Sequence, residues 1–252
     1  MAGHSHSANV ARRKSAVDAV RAREFSKCSK AIMSAVRQSG PDPAQNIKLR
    51  YAVEKARAAN MPKDTIERAI KRAAGEGAGS IEELVYEGYA PGGVALMVVC
   101  LTDNRKRTAA DVKHLFDKRG GNLGSPGSVS FLFDFRSIFV VEPGDRDEEA
   151  LLEVALECGA EDVEVETGAA TFYAAAADFL DVKGALEARG LSFLSAETGY
   201  VPQNLVPVGD KEEAGKVLRL IGLLEENDDV QSVYANYDIP AEWIEELSGA
   251  GH

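Results

Sequence analysis

Arg23, Lys27, Lys30 and Arg37 recur along a stretch, 16–38, that contains no proline or glycine. At 100° per residue they fall within roughly 80° of one another on one side of a helix. Phe25, Cys28, Ile32, Ala35 and Val36 recur at steps of three and four on the opposite side. An apolar face backed by a rail of one charge sign suits a ligand that is itself a polyanion, because each cation can neutralise one phosphate. Arg12, Arg13 and Lys14 extend the cationic set into an N-terminal arm, 2–14. A second group stands at Thr102-Asp103-Asn104-Arg105-Lys106-Arg107-Thr108, where a strand ends and a helix opens with Asp103 as the expected N-cap. Three cations in a first turn oppose the helix dipole at about 0.3 kcal/mol or more each. Arg105, Lys106 and Arg107 are therefore read as a phosphate site shared with the exposed N–H groups of the helix start.

Catalytic chemistry finds no support. The sequence has no G-x-S-x-G, P-loop or H-E-x-x-H, so a non-enzymatic protein without a cofactor is expected. Cys28, Cys100 and Cys158 are odd in number, far apart and set in apolar patterns, the pattern of buried free thiols. If Met1 is removed, Ala2-Gly3-His4 has the donors for square-planar Cu(II) or Ni(II), set against the plain reading of a solvated tail. The acidic run 145–149 is read as a helix start and 225–229 as a solvated helix end.

The elements that must position these groups follow from period and punctuation. Residues 1–80 carry 16 Lys and Arg against 7 Asp and Glu, a balance of +9, so in a chain of net charge −11 the remainder carries −20. A basic head on an acidic body separates two electrostatic tasks. Three helices are expected in the head: 16–38, 44–59, and a third in which Pro62 takes the first helical position; 75–80 is a linker. A hairpin at 82–101 turns at 90–93, a helix covers 104–119, and Val129, Phe131, Phe133 and Phe135 point one way along a strand. Residues 137–198 then read βαββαβ, a complete ferredoxin-like unit. The ββαβ before it lacks a helix and a strand, which appear at 211–225 and 230–237. The class is α+β: a basic helical domain with its arm at 1–80, a discontinuous α/β domain at 81–135 plus 206–240, an inserted ferredoxin-like domain at 136–205, and a tail at 241–252. No apolar run approaches the roughly 18 residues that span a bilayer, and a cytoplasmic protein without membrane contact is expected.

Several long motifs, in order, resemble the YebC/PmpR family: MAGHS at the start, AANMPKDTIERAIK at 58–71, YEGYAPGGVA at 86–95, LTDNRKRT at 101–108, GGNLGSPGSVSFLF at 120–133 and DDVQSVYAN at 228–236. Three positions depart from the family pattern: His6-Ser7 stands for Lys-Trp, Ala90 for a turn glycine, and Pro126 for an acidic residue. The resemblance implies a helical N-terminal domain with two α/β domains, DNA binding and transcriptional control. Through mitochondrial relatives it also implies translational activation, with ribosomal RNA, tRNA or the ribosome as partner. A protein-interaction or small-ligand sensor is the third reading. Backbone contacts alone carry no base information, so the sequence leaves DNA against RNA open, as it does the oligomeric state.

Overall fold

The structure, a computed structural model, describes residues 19–75, 81–166 and 168–249. The expectations for His4 and for Arg12, Arg13 and Lys14 fall outside the described residues.

Helices α1 (Ala19–Ser39), α2 (Ile47–Ala58) and α3 (Lys63–Ala74) form the head. The apolar period of α1 is its packing surface: Cys28, Ile32, Ala35 and Val36 meet Leu49, Val53 and Ala56 of α2 and Ile66, Ala69 and Ala73 of α3 in one core. Asn46 closes the α1–α2 corner. Its buried amide donates to the carbonyls of Ala35 and Gly40, and its oxygen accepts from the Leu49 N–H, capping α2. That cap moves the helix start from the expected 44 to Ile47. Pro62 stands one residue ahead of α3, at φ −58° and ψ 140°, instead of at its first helical position.

The body begins with β1 (Glu82–Tyr89), β2 (Ala95–Thr102), α4 (Arg105–Lys118) and the short β3 (Asn122–Leu123). The inserted unit follows as β4 (Phe133–Glu142), α5 (Glu148–Cys158), β5 (Asp162–Glu166), β6 (Ala169–Ala175), α6 (Phe179–Ala188) and β7 (Ser192–Pro202). The chain returns through β8 (Val206–Pro207), α7 (Lys211–Glu226), β9 (Val230–Ala235), β10 (Tyr237–Asp238) and α8 (Ala241–Gly249). The class is α+β, as the sequence implies. One antiparallel sheet has the order β3-β1-β2-β9, so its last strand comes from beyond the insertion. The other has the order β5-β6-β4-β7, the ferredoxin-like order of a βαββαβ unit. Leu96, Val98 and Cys100 of β2 pack under Val112 and Phe116 of α4 and Val217, Ile221 and Leu224 of α7. The stretch expected as a tail carries α8, whose buried Ile244 joins that core with Trp243 and Leu247 packed beside it.

The alternation expected from Val129 to Phe135 does not hold. A 3-10 turn at Ser130–Leu132 precedes β4, so Val129 and Phe133 are buried while Phe131 and Phe135 stand 65% and 53% exposed. The cause is Glu87 of β1, whose carboxylate accepts from the N–H groups of Gly127, Val129 and Ser130 at 2.7–2.8 Å and curls the chain around itself. Burial alone would push this carboxyl up, but the three backbone donors, helped by the Ser130 hydroxyl, hold it below the usual range.

Candidate nucleic-acid interface

Between α7 and β9 the chain makes a tight turn in which the Asp229 N–H donates to Asn227 Oδ1 and the Asp229 carbonyl accepts from the Leu101 N–H. The Asp229 side chain, 4% exposed, points at the head. Lys30 Nζ reaches its Oδ1 at 2.7 Å and an Arg107 guanidinium nitrogen its Oδ2 at 2.8 Å. The hydroxyls of Thr108 and Thr102 lie 2.8 and 3.2 Å from Oδ2. Burial would raise this carboxyl, yet the hydrogen bonds from Lys30, Arg107 and Thr108 outweigh it and hold the group at about 2. Lys30 also donates to the Asp228 carbonyl at 2.7 Å, and Lys27 to the Glu225 carbonyl at 2.8 Å. The Glu225 carbonyl lies in the last turn of α7, where the dipole favours cations, and the Asp228 carbonyl in the turn that follows. Two residues of the expected rail thus dock α1 on the body.

The start of α4 is also rearranged. Asn104 is the N-cap, its oxygen accepting from the Arg107 N–H, while Asp103 pairs with the Arg107 side chain at 3.0 Å. Arg107 is therefore compensated by two carboxylates. Arg105 and Lys106 are exposed and form no ion pair among the described residues. A polar cleft of about 340 Å³ opens at Arg107 and Lys30, lined also by Ser26, Asp111, Asn227, Asp228 and Asp229.

Of the other rail residues, Arg23 is half-buried on α1 and Arg37 is exposed in its last turn. Lys48, Arg57, Lys63, Arg68, Lys71 and Arg72 add exposed cations on α2 and α3. Sequence reasoning missed Asp229, since 225–229 reads as a solvated helix end. The signal available was the charge imbalance itself, because a +9 head and a −20 body attract one another. The three cysteines are buried and free, as expected. Burial raises each thiol, that of Cys100 to about 12, which leaves no thiolate for nucleophilic work at neutral pH. Among the described residues no cluster of three His, Cys, Asp or Glu is placed to hold a metal, and no helix is long and apolar enough to cross a membrane.

A three-helix head docked through the Lys30–Asp229 ion pair and the Lys27–Glu225 carbonyl hydrogen bond onto two antiparallel α/β units, one inserted in the other, defines the class of protein. The family model for the TACO1/YebC N-terminal domain matches residues 5–76, and that for the TACO1/YebC second and third domain matches residues 81–237. The chain belongs to the TACO1/YebC family. It is 49% identical over 251 residues to a "Probable transcriptional regulatory protein" of Halothermothrix orenii, covering 98% of this chain and 99% of that one. A protein of the same name from the Nichols strain of Treponema pallidum is 51% identical over 245 residues, covering 97% and 100%. The crystal structure of a conserved hypothetical protein from Aquifex aeolicus superposes with a TM-score of 0.83 at 47% identity, over 90% of this chain and 94% of that one.

Proposed function

We propose that this protein is a non-enzymatic, nucleic-acid-binding regulator of gene expression acting in the cytoplasm, with DNA-bound transcriptional control as the leading reading. The observation that carries it is the pair Arg105 and Lys106, exposed in the first turn of α4 with no carboxylate to balance them among the described residues. A helix start favours anions, so two unpaired cations there are unfavourable until a phosphate joins them. The relatives' name points the same way. In this reading Arg105 and Lys106 grip phosphate together with Arg37 and Arg23 of α1 and with Arg12, Arg13 and Lys14 of the arm. Lys27 and Lys30 hold the head in place, and with Arg107 they add their charge to the site's potential.

The charge of the body favours a second reading, binding of structured RNA in translation. Residues 81–252 carry −20, which a long duplex lying along the molecule would repel, whereas a compact RNA fold is gripped at one end. Fluorescence anisotropy with duplex DNA and with folded RNA over a salt series tests both. Binding is expected to weaken steeply with ionic strength, and Arg105→Glu with Lys106→Glu is expected to lower the slope by about 1 to 2. A salt-independent affinity, or an unchanged slope in the double variant, defeats the reading; the stronger of the two ligands decides between DNA and RNA.

A further inference from the structure

Helix α5 carries two leucines that its own unit leaves uncovered. Leu151, Ala155 and Cys158 are buried in the core of the inserted unit, whereas Leu152 is 46% exposed and Leu156 79%. The two stand at i and i+4 and so share one stripe of the helix. Helical arithmetic sets Leu152 and Glu157 on opposite sides of the buried stripe, each roughly 90–130° from it. Glu157 pairs with Arg189, the residue that closes α6, so the leucines lie on the flank turned away from α6, above the β5 edge of the sheet. Val165 of β5 belongs to the same surface. Its pairing with Ala170 places it on the helix-covered face, and it is 38% exposed. Helix and strand run antiparallel, so that Leu152, ~9 Å along α5 from Cys158, is level with Val165, ~10 Å along β5 from Asp162.

The rim of this stripe is acidic. Glu148 neighbours Leu152 at i, i+4, while Glu149 and Glu153 neighbour Leu152 and Leu156 at i, i+3. All three carboxylates are exposed and form no ion pair among the described residues. Glu148 and Glu149 also suit the positive end of the helix, but Glu153 in its middle has no such role. The cations at this end of the unit stand on the α6 side, where Arg189 pairs with Glu157 and Arg146 donates to the Arg189 carbonyl. An apolar stripe with a negative rim rejects several occupants. A second copy of α5 would set Glu149 and Glu153 against their own equivalents, and nucleic acid or an anionic lipid surface would be repelled in the same way. We propose that this flank of α5, with Val165, docks a basic amphipathic helix of another protein. The partner's apolar stripe lies on Leu152 and Leu156, and its Lys or Arg side chains meet Glu149 and Glu153. The surface belongs to the inserted unit, whereas Arg105 and Lys106 belong to the other α/β unit. The docking is therefore independent of the nucleic-acid reading, and one molecule can hold a polyanion and a basic protein at once.

The probe is a synthetic helical peptide with leucine at successive i, i+4 positions and lysine elsewhere, added to the full-length protein, with a glutamate-for-lysine counterpart as control. The lysine peptide is expected to bind, less tightly as salt rises, and to slow amide exchange within 148–166, while the glutamate peptide does neither. Leu152→Gln with Leu156→Gln is expected to weaken binding roughly tenfold and Glu153→Lys by a similar factor, with affinity for nucleic acid unchanged. Both leucines are exposed, so these variants keep the fold. Failure of the lysine peptide to bind, protection confined to other elements, or an unchanged affinity in the double-leucine variant overturns the docking. Sedimentation gives a further check. A self-associated parent protein that the double-leucine variant turns monomeric would make a second copy the occupant and overturn the proposal equally.

Discussion

Lys30 Nζ lies 2.7 Å from Asp229 Oδ1, and this contact fastens the first helix of the basic head to the acidic body. The carboxylate that receives it also receives Arg107 from the start of α4, so a single buried charge orients cations from two separate elements. A rail of one sign therefore divides its work. Lys27 and Lys30 turn inward to fix where the head sits, which sets the positions from which Arg37, Arg105 and Lys106 face outward.

Replacing Asp229 with Asn leaves Lys30 and Arg107 facing a neutral, partly mismatched group. Removing one member of a buried charged cluster typically costs about 3 kcal/mol. Asp229→Asn is expected to lose that much in urea denaturation, and Lys30→Met somewhat less, since Lys30 is the more exposed partner. Because the two share one contact, the double variant should fall short of the summed losses by about 1 to 2 kcal/mol. Strict additivity would show that the contact does not hold the head.

The same carboxylate makes stability depend on acid. Its folded pKa of about 2 lies below the unfolded value near 3.9, so its stabilisation is complete above that value and is lost as pH falls through the folded pKa. The depression corresponds to about 2–3 kcal/mol. Urea midpoints measured from pH 6 to pH 2 should fall for the parent protein, with Asp229→Asn falling by a smaller amount over the same window. Parallel curves would remove Asp229 as the source.

Much of this fold was legible because its helices and the inserted sheet are written in local periods. The α1 core stripe at Phe25, Cys28, Ile32 and Val36 and the βαββαβ order of the inserted unit needed only spacing. The candidate site was less legible, because its geometry depends on residues almost two hundred positions apart. Nothing near Lys30 in sequence reports that Asp229 will face it, and a helical wheel cannot tell a cation bound for phosphate from one bound for a carboxylate. The turn at Ser130–Leu132 was hidden for the same reason, since Glu87 more than forty residues earlier imposes it. Local signals also competed: Asp103 and Asn104 are both good caps, and the pairing of Asp103 with Arg107 leaves the cap to Asn104.

Glu87 gives a sharper test of buried polar geometry than the ion pairs do. Its Oε1 takes one N–H and its Oε2 takes two, so Glu87→Gln places an NH2 group against at least one backbone donor and keeps at most two of the three bonds. Charged hydrogen bonds of this kind contribute about 1.5–3 kcal/mol. A loss of about 2–3 kcal/mol is expected from chemical denaturation, with faster amide exchange at Gly127, Val129 and Ser130. A change below about 0.5 kcal/mol would mean that the loop holds its shape without the carboxylate.

Gly88 sits where β1 passes closest to β3 and α4. A Cβ there would stand 2.6 Å from the Asn122 carbonyl oxygen and 2.7 Å from a ring carbon of Phe116. The first neighbour is backbone in a paired strand and the second is a ring with no exposed surface, so neither can withdraw cheaply. Gly88→Ala is expected to destabilise by about 1–3 kcal/mol through overpacking, although alanine suits a strand no worse than glycine does. Phe116→Leu made in the same chain relieves only the ring contact and should recover part of the loss, leaving the carbonyl contact as the remainder. If the alanine variant matches the parent in thermal and urea unfolding, β3 must be able to leave β1 without cost.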